Sequence, residues 1–186
     1  LASAIDVSGV SPEICEPKDL NSLIDKNSIH QGAILEVRPL DWGNFAEVVM
    51  HSQSTLTNVV LLDRVTDPHN VGAILRSAEV FGASAVIGTK HHSAPETGAL
   101  AKAASGALER QPYIRVRNLA DTILELKKMG FIVLGLDAEV SNDIASAARL
   151  YADRPIALVL GAEGPGLRSR TKEVVDDLVR IKPMSS

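Results

Sequence analysis

The residues that decide how this chain folds are Val59-Val60-Leu61-Leu62 and the segment that follows, Asp67-Pro68-His69-Asn70-Val71-Gly72-Ala73-Ile74-Leu75-Arg76-Ser77-Ala78. A short apolar run, a polar turn and then a helix-forming stretch read as a buried strand passing into a helix. The arrangement recurs further along, where Ile156-Ala157-Leu158-Val159-Leu160 runs into Gly161-Ala162-Glu163-Gly164-Pro165-Gly166-Leu167. Ligands of open α/β sheets bind beyond the carboxyl ends of the strands. Two glycine-bearing polar loops at two such ends are therefore expected to be halves of one site.

Outward from these segments the pattern alternates. Strands are predicted at 59–62, 84–88, 113–116, 131–136, 156–160 and 178–181, and helices at 70–81, 96–108, 118–129 and 168–177. Asn118 fits an N-cap and Met129-Gly130 a helix end. Leu119, Ile123 and Leu126 form an apolar stripe between them. Ala138 to Asp153 is alanine-rich and polar, and reads as a loop with a short helix. Alternating strands and helices predict an α/β fold: an open, mostly parallel sheet with helices on both faces and right-handed crossovers.

Composition narrows the function classes. No apolar stretch approaches the length of a membrane span. Aromatic residues make up only 3% of the chain, so base recognition by aromatic stacking is not advertised. Cys15 is the only cysteine, which excludes an intrachain disulfide or a cysteine metal cluster and fits a reducing, cytoplasmic setting. His69, His91 and His92 lack ligand-type neighbours at regular spacing, so no metal is expected. The net charge of −4 argues mildly against nucleic acid, but local clusters outweigh the total. Three stand out: Arg110, Arg115 and Arg117; Lys90, His91 and His92; and Arg168, Arg170 and Lys172. Each is also compatible with a merely solvated face.

Residues 1–50 differ in texture. Pro12-Glu13-Ile14 and Pro17-Lys18-Asp19-Leu20 suggest a loop and a helix start with Asp19 as N-cap, and Leu20, Leu23 and Ile24 share one helical face. His30-Gln31-Gly32 leads into Ala33-Ile34-Leu35-Glu36-Val37, a strand candidate. Leu1 is not a start methionine, and the chain is expected to begin inside a longer one.

The glycine loop at 161–166 has the order G-x-x-G-x-G, which is neither the dinucleotide order nor a P-loop. Two readings stand. It is a tight turn that needs glycine backbone, or bare backbone that approaches a flat ligand, with Glu163 inside it. Asn70 sits where it could cap a helix. Arg76 could pair with Glu79. Asp137 falls where a ribose-binding acid would stand, and also where a capping or surface residue would.

Taken together, these segments resemble the SpoU family of RNA ribose methyltransferases within the knotted SPOUT superfamily. Asn70, Gly72 and Arg76 match that family's N-x-G-x-x-x-R motif, and Gly161, Glu163, Gly164 and Gly166 match its G-x-E-G-x-G motif. Val179-Arg180-Ile181-Lys182-Pro183-Met184 opens a third motif, which in the family continues through a glycine to S-L-N-V-S, whereas this sequence stops at Ser186. The resemblance spans roughly Val59 to Ser186.

The resemblance implies a SPOUT-type α/β-knot catalytic domain over 51–186. It implies S-adenosyl-L-methionine as methyl donor, held by backbone around Leu136-Asp137-Ala138, Gly161, and Ile181 to Met184. The reaction would be displacement at the sulfonium methyl by an RNA 2′-hydroxyl, with Asn70, Arg76 and Glu163 as catalytic residues. The family role of this arginine as a base sits poorly with its permanent protonation, and an electrostatic role is easier to defend. Lys102, Arg110 and Arg168 are the candidate RNA contacts, with Lys102-Ala103-Ala104-Ser105-Gly106-Ala107 allowing close packing. Related enzymes carry a small domain resembling ribosomal protein L30e that ends in His-Gln-Gly and a strand. Residues 1–50 would then be its C-terminal remnant, with the linker in Leu40 to Asn58; an irregular extension of the main domain is the alternative. The nearest subgroup modifies a guanosine of bacterial large-subunit ribosomal RNA; a tRNA target, or an RNA-binding module without catalysis, stays open. A nucleotide-binding Rossmann enzyme is disfavoured by the glycine order. Family members are homodimers, and a chain ending at Ser186 is expected to bind donor more weakly than one carrying the third motif.

Overall fold

A computed structural model of the chain describes residues 9, 11–24, 30, 32–50 and 57–182. It divides into two compact units, Leu1–Pro39 and Leu40–Ser186.

In the first unit, helix α1 spans Pro17–Leu20. Its N-cap is Glu16, with Pro17 opening the helix, so Asp19 lies within the first turn and is not the cap expected of it. The helix stops at Leu20, so Leu23 and Ile24 do not continue it. His30 Nε2 lies 3.1 Å from Asn21 Oδ1. Gln31 lies outside the described residues. The strand expected at Ala33 to Val37 is not formed. No described strand accepts its backbone groups, and Leu35 and Val37 are exposed.

The second unit holds one six-stranded sheet: β1 Asn58–Asp63, β2 Ala85–Thr89, β3 Tyr113–Val116, β4 Ile132–Leu136, β5 Ile156–Gly161 and β6 Asp177–Val179. All its pairings are parallel, in the order β3-β2-β1-β5-β4-β6. The near-continuous burial of β2 suits a parallel strand covered on both sides. Seven helices are described. Besides α1 they are α2 Phe45–Met50, α3 Pro68–Val80, α4 Gly98–Ala104, α5 Leu119–Lys128, α6 Ile144–Leu150 and α7 Ser169–Val174.

Three elements depart from expectation for identifiable reasons. The helix expected over 96–108 is two pieces, α4 and a 3₁₀ turn at Ala107–Glu109, because Ser105 and Gly106 both take left-handed backbone. Helix α7 stops at Val174 because Val175 is extended, which moves β6 forward and leaves Ile181 beyond it. The expected linker between Leu40 and Asn58 contains α2, capped by Asn44 Oδ1 accepting from Ala46 N at 3.0 Å.

Helices cover both faces. Leu119, Ile123 and Leu126 of α5 join Val49 of α2 and Val174 of α7 over Leu61, Ile87, Val133 and Val159. On the other face Val71 and Leu75 of α3 and Leu100 of α4 pack over Leu62 and Val86. Helix α6 covers β4 and β6 through Ala147, against Leu134 and Val179. Between α3 and α6 runs an apolar groove of about 520 Å³ with Val60, Ile74, Phe81, Ile144, Leu158 and Leu160 along it. After β1 the chain winds outward through β2 to β3. It then crosses to the far side for β4 and inserts β5 beside β1. The switch point of the sheet is therefore the β1–β5 boundary.

Candidate active site

The two glycine-bearing segments follow these two adjoining strands, and their registers end on the pair Asp63 and Gly161. Helix α3 starts on Pro68, and Asp67 Oδ1 caps it by accepting from His69 N at 2.9 Å. The cap is thus Asp67, not Asn70. Asn70 lies in the first turn and its side chain is left to reach outward. Its Nδ2 donates to Glu163 Oε2 at 3.4 Å, a long bond between exposed groups that spans the switch point.

Glu163 is carried by a tight loop. Ala162 N donates to Gly166 O at 3.2 Å and Gly166 N returns the bond to Ala162 O at 2.9 Å. A Cβ on Gly161 would fall 2.3 Å from Gly166 C, so a side chain there would force the hairpin apart. Gly164 and Gly166 take positive φ. The tight-turn reading of the glycines is thus physically accounted for, and the turn sets Glu163 at its tip.

The loop is locked at its exit by a contact that sequence reasoning missed. Asp63, fully buried at the end of β1, accepts from Arg168 N at 3.0 Å through Oδ2 and from Arg168 Nε at 2.6 Å through Oδ1. A carboxylate without solvent needs such partners. The available signal was a carboxylate ending an apolar run in strand β1.

Arg76 lies farther along α3. Its Nη1 donates to Ala103 O near the end of α4. The same helix pair touches at Gly72, where a Cβ would sit 2.6 Å from Ala103 Cβ. The structure therefore brings Asn70 and Glu163 together, and ties Arg76 to α4 without bonding it to either. Arg76 does not pair with Glu79. Glu79 is taken by Arg110, whose hydrogen bond holds the carboxyl below its usual range and raises the guanidinium in turn.

The residues expected around the donor share one stretch of the carboxyl edge. Asp137 N donates to Val179 O at 2.9 Å, joining the ends of β4 and β6. Counting on from Gly135 opposite Val159 sets Asp137 beside Gly161. Asp137 Oδ2 meets Lys172 Nζ at 2.5 Å, and Oδ1 accepts from Glu139 N at 2.9 Å. The Lys172 bond is the main cause that lowers the Asp137 carboxyl, and Asp137 raises Lys172 in turn. Leu136 is half-buried, whereas Ala138 and Ile181 are exposed. Met184 lies outside the described residues. Apolar side chains beside strand-end backbone suit a flat adenine and its hydrogen-bonding edge, whereas the Asp137 carboxylate is taken by Lys172.

Of the expected RNA contacts, Lys102 is exposed on α4, whereas Arg110 and Arg168 are engaged with Glu79 and Asp63. Among the described residues no group of His, Cys, Asp and Glu is arranged to hold a metal ion, and no helix is long and apolar enough to cross a membrane.

A switch point flanked by a strand-to-helix turn and a glycine hairpin marks this as a ligand-binding α/β domain. The chain belongs to the SpoU rRNA Methylase family, whose profile matches residues 57–186. It is 42% identical over 159 residues to the 23S rRNA (guanosine-2'-O-)-methyltransferase RlmB of Vibrio vulnificus, covering 84% of this chain and 62% of that one. Its likeness to the RlmB of Vibrio parahaemolyticus is 38% over 184 residues, 97% of this chain and 72% of that one. The chain thus spans less than two thirds of the first of these relatives. Among solved structures, the AdoMet-bound rRNA methyltransferase from Sinorhizobium meliloti matches with a TM-score of 0.60 and 29% identity, over 69% of this chain and 48% of that one. The SpoU methyltransferase AviRb from Streptomyces viridochromogenes shares the fold, with a TM-score of 0.63 at 22% identity, over 77% of this chain and 56% of that one.

Proposed function

We propose that this chain carries the catalytic domain of an S-adenosylmethionine-dependent methyltransferase acting on a ribose 2′-hydroxyl of structured RNA, with a guanosine of large-subunit ribosomal RNA as target. The observation that carries this reading is the Asn70–Glu163 bond, which joins two family motifs across the switch point. The named activity of the RlmB relatives supports the substrate.

S-adenosylmethionine, when bound, supplies a methyl group already attached to a good leaving group. The protein's part is then largely positioning and charge. Leu136, Ala138 and Ile181 offer apolar surface and strand-end backbone. Asn70, fixed by Glu163, orients the ribose. The 2′-oxygen gains negative charge as it attacks, and in this reading Arg76 supplies the cation that stabilises it or the adjoining phosphate. A guanidinium that stays protonated does not serve as base. Its bond to Ala103 O holds it without neutralising it.

Arg76→Ala should lower RNA methylation by about 100-fold or more, with S-adenosylhomocysteine affinity by calorimetry and melting temperature little changed. A fully active Arg76→Ala enzyme would remove Arg76 from the chemistry. The reading includes a homodimer, so light scattering should return twice the chain mass; a monomer at working concentration counts against it. The relation of residues 1–50 to an L30e-like domain is carried as part of the same proposal.

A further inference from the structure

Three residues that are far apart in sequence become neighbours through strand register. Arg64 follows β1, Lys90 follows β2 and Arg117 follows β3, each directly after the last strand residue. Strands β3, β2 and β1 are consecutive in the sheet. Leu62 pairs with Gly88, and Arg64 and Lys90 each lie two residues beyond that pair, just past the ends of the neighbouring strands β1 and β2. Thr89 pairs with Val116, so counting on by one sets Lys90 beside Arg117. Between β2 and β3 the pairing continues past the strand ends, because Lys90 N donates to Val116 O at 2.7 Å. On the other side Asp63 pairs with Gly161, so Arg64 and Ala162 each follow directly on this last pair, with Glu163 the next residue. A row of three cations thus starts beside the Asn70–Glu163 pair and runs to the edge strand.

All three are exposed, and none has an ion-pair partner among the described residues. Like charges held side by side repel, and the acids nearby answer mainly the Arg64 end, where Glu163 stands. Asp67 is used as the α3 cap, and Glu96 lies farther along the loop after Lys90. His91 and His92 add two exposed groups of the same potential sign.

The row is also braced. Thr89 N donates to Ser93 Oγ at 3.1 Å, and the Thr89 hydroxyl to His91 O. Arg115 Nη1 donates to Ala94 O at 2.9 Å, and Ala94 N reaches Val65 O at 3.4 Å, joining this loop to the one that holds Arg64. Arg64 and His92 both take left-handed backbone, with φ of 61° and 60°. Non-glycine residues rarely do so, and such conformations collect at functional sites.

Resting on the RNA reading above, we propose that Arg64, Lys90 and Arg117 form a phosphate-contacting row, along which the RNA backbone runs from the Asn70–Glu163 pair toward β3. Adjacent parallel strands lie about 4.8 Å apart, so the row is as long as a short stretch of polynucleotide backbone. It crosses the strand ends, and a polyanion laid on it relieves the repulsion that the fold leaves in place.

The test uses the whole chain and a labelled RNA stem-loop, titrated by fluorescence anisotropy across a salt series without methyl donor. Lys90→Gln with Arg117→Gln should weaken binding by about tenfold or more at low salt and make the log–log salt slope shallower by roughly 1.5. Lys128→Gln with Arg149→Gln, which removes the same charge from exposed positions at the opposite edge, should change neither. The row variant should melt no lower than the parent, since it relieves repulsion, so lost binding is not lost folding. Unchanged affinity and slope in the row variant overturn the proposal, and so does a parent chain that does not bind the stem-loop. Unchanged RNA binding combined with lost binding of an acidic protein would assign the row to a protein partner instead. S-adenosylhomocysteine titration separates this from the methyltransferase reading. A chain that binds the analogue but not RNA through the row loses only the row, and one that binds RNA through the row but not the analogue loses only the chemistry.

Discussion

Arg168, Arg170 and Lys172, on the β5–β6 side of the carboxyl edge, each hold a carboxylate: Asp63, Glu173 and Asp137. Arg64, Lys90 and Arg117, on the β1–β3 side, hold none among the described residues. Both groups sit around the same switch point, and the same side-chain chemistry serves opposite ends. A cation whose charge is cancelled within the fold fixes a loop. A cation left uncancelled in a row keeps its charge for a ligand. The paired group is also graded, because Asp63 is fully buried whereas Arg170 and Glu173 are both largely in water. Burial of the carboxylate, not the presence of a pair, should set how much each contact contributes.

The largest effect is therefore expected at Arg168. Removing it leaves Asp63 charged and buried with only the backbone N–H of residue 168 to serve it. Arg168→Ala should cost about 3 kcal/mol of stability, read as a lower denaturant midpoint at unchanged slope. The hairpin bearing Glu163 ends at this contact, so methylation should fall with stability. If Arg168 were a solvent-facing RNA contact, the same variant would lose RNA affinity and keep its midpoint.

This contrast also marks how far the sequence could be read. The sheet was legible because parallel strands buried on both faces are near-continuous apolar runs, as at Val59–Leu62 and Ile156–Leu160, and because the helix end at Met129-Gly130 carries recognisable chemistry, whereas the cap read at Asn70 lies at Asp67. The break in 96–108 was not legible, since it turns on left-handed backbone at Ser105, a conformation that serine seldom takes. The bond between Asn70 and Glu163 needs β5 beside β1, an adjacency that no local pattern states. The Asp63–Arg168 lock and the Arg64–Lys90–Arg117 row were invisible for one reason. Each depends on strand order and register, which bring together residues that no local pattern connects. Clustering along the sequence gathered Lys90 and Arg117 as well as Arg110 and Arg168, without showing which of them the fold neutralises.

Lys172 and Asp137 form the intermediate case, with Asp137 10% exposed and Lys172 37% exposed. The pair's contribution should depend on pH in a defined way. The Asp137 carboxyl is held below its ordinary value of 3.8, so its stabilisation is complete above that value and lost as pH falls through the lower folded value. The Lys172 ammonium is held above its ordinary 10.5, so its stabilisation is complete below that value and lost as pH rises through the higher folded value. The melting-temperature difference between the parent and Lys172→Met should accordingly be level from about pH 5 to pH 9 and close up in stronger acid. A difference that grew toward acid would mean that the pair is not what holds the turn after β4.

The smallest effect is expected at Arg170. Its bond to Glu173 is 2.9 Å long, as good as many buried contacts, but the two side chains are 66% and 60% exposed. Water competes for both charges, and ordering two long side chains costs entropy, so Arg170→Ala should change stability by about 0.5 kcal/mol or less. In a chain of this size that is a shift of about 1–2 °C in melting temperature, well short of the effect at Arg168. Distance alone would rank the two contacts as near equals, at 2.9 and 2.6 Å. If Arg170→Ala proved as costly as Arg168→Ala, burial would not be the variable that separates them. The division of this edge into cations that fix the fold and cations kept for a ligand would then lose its physical basis.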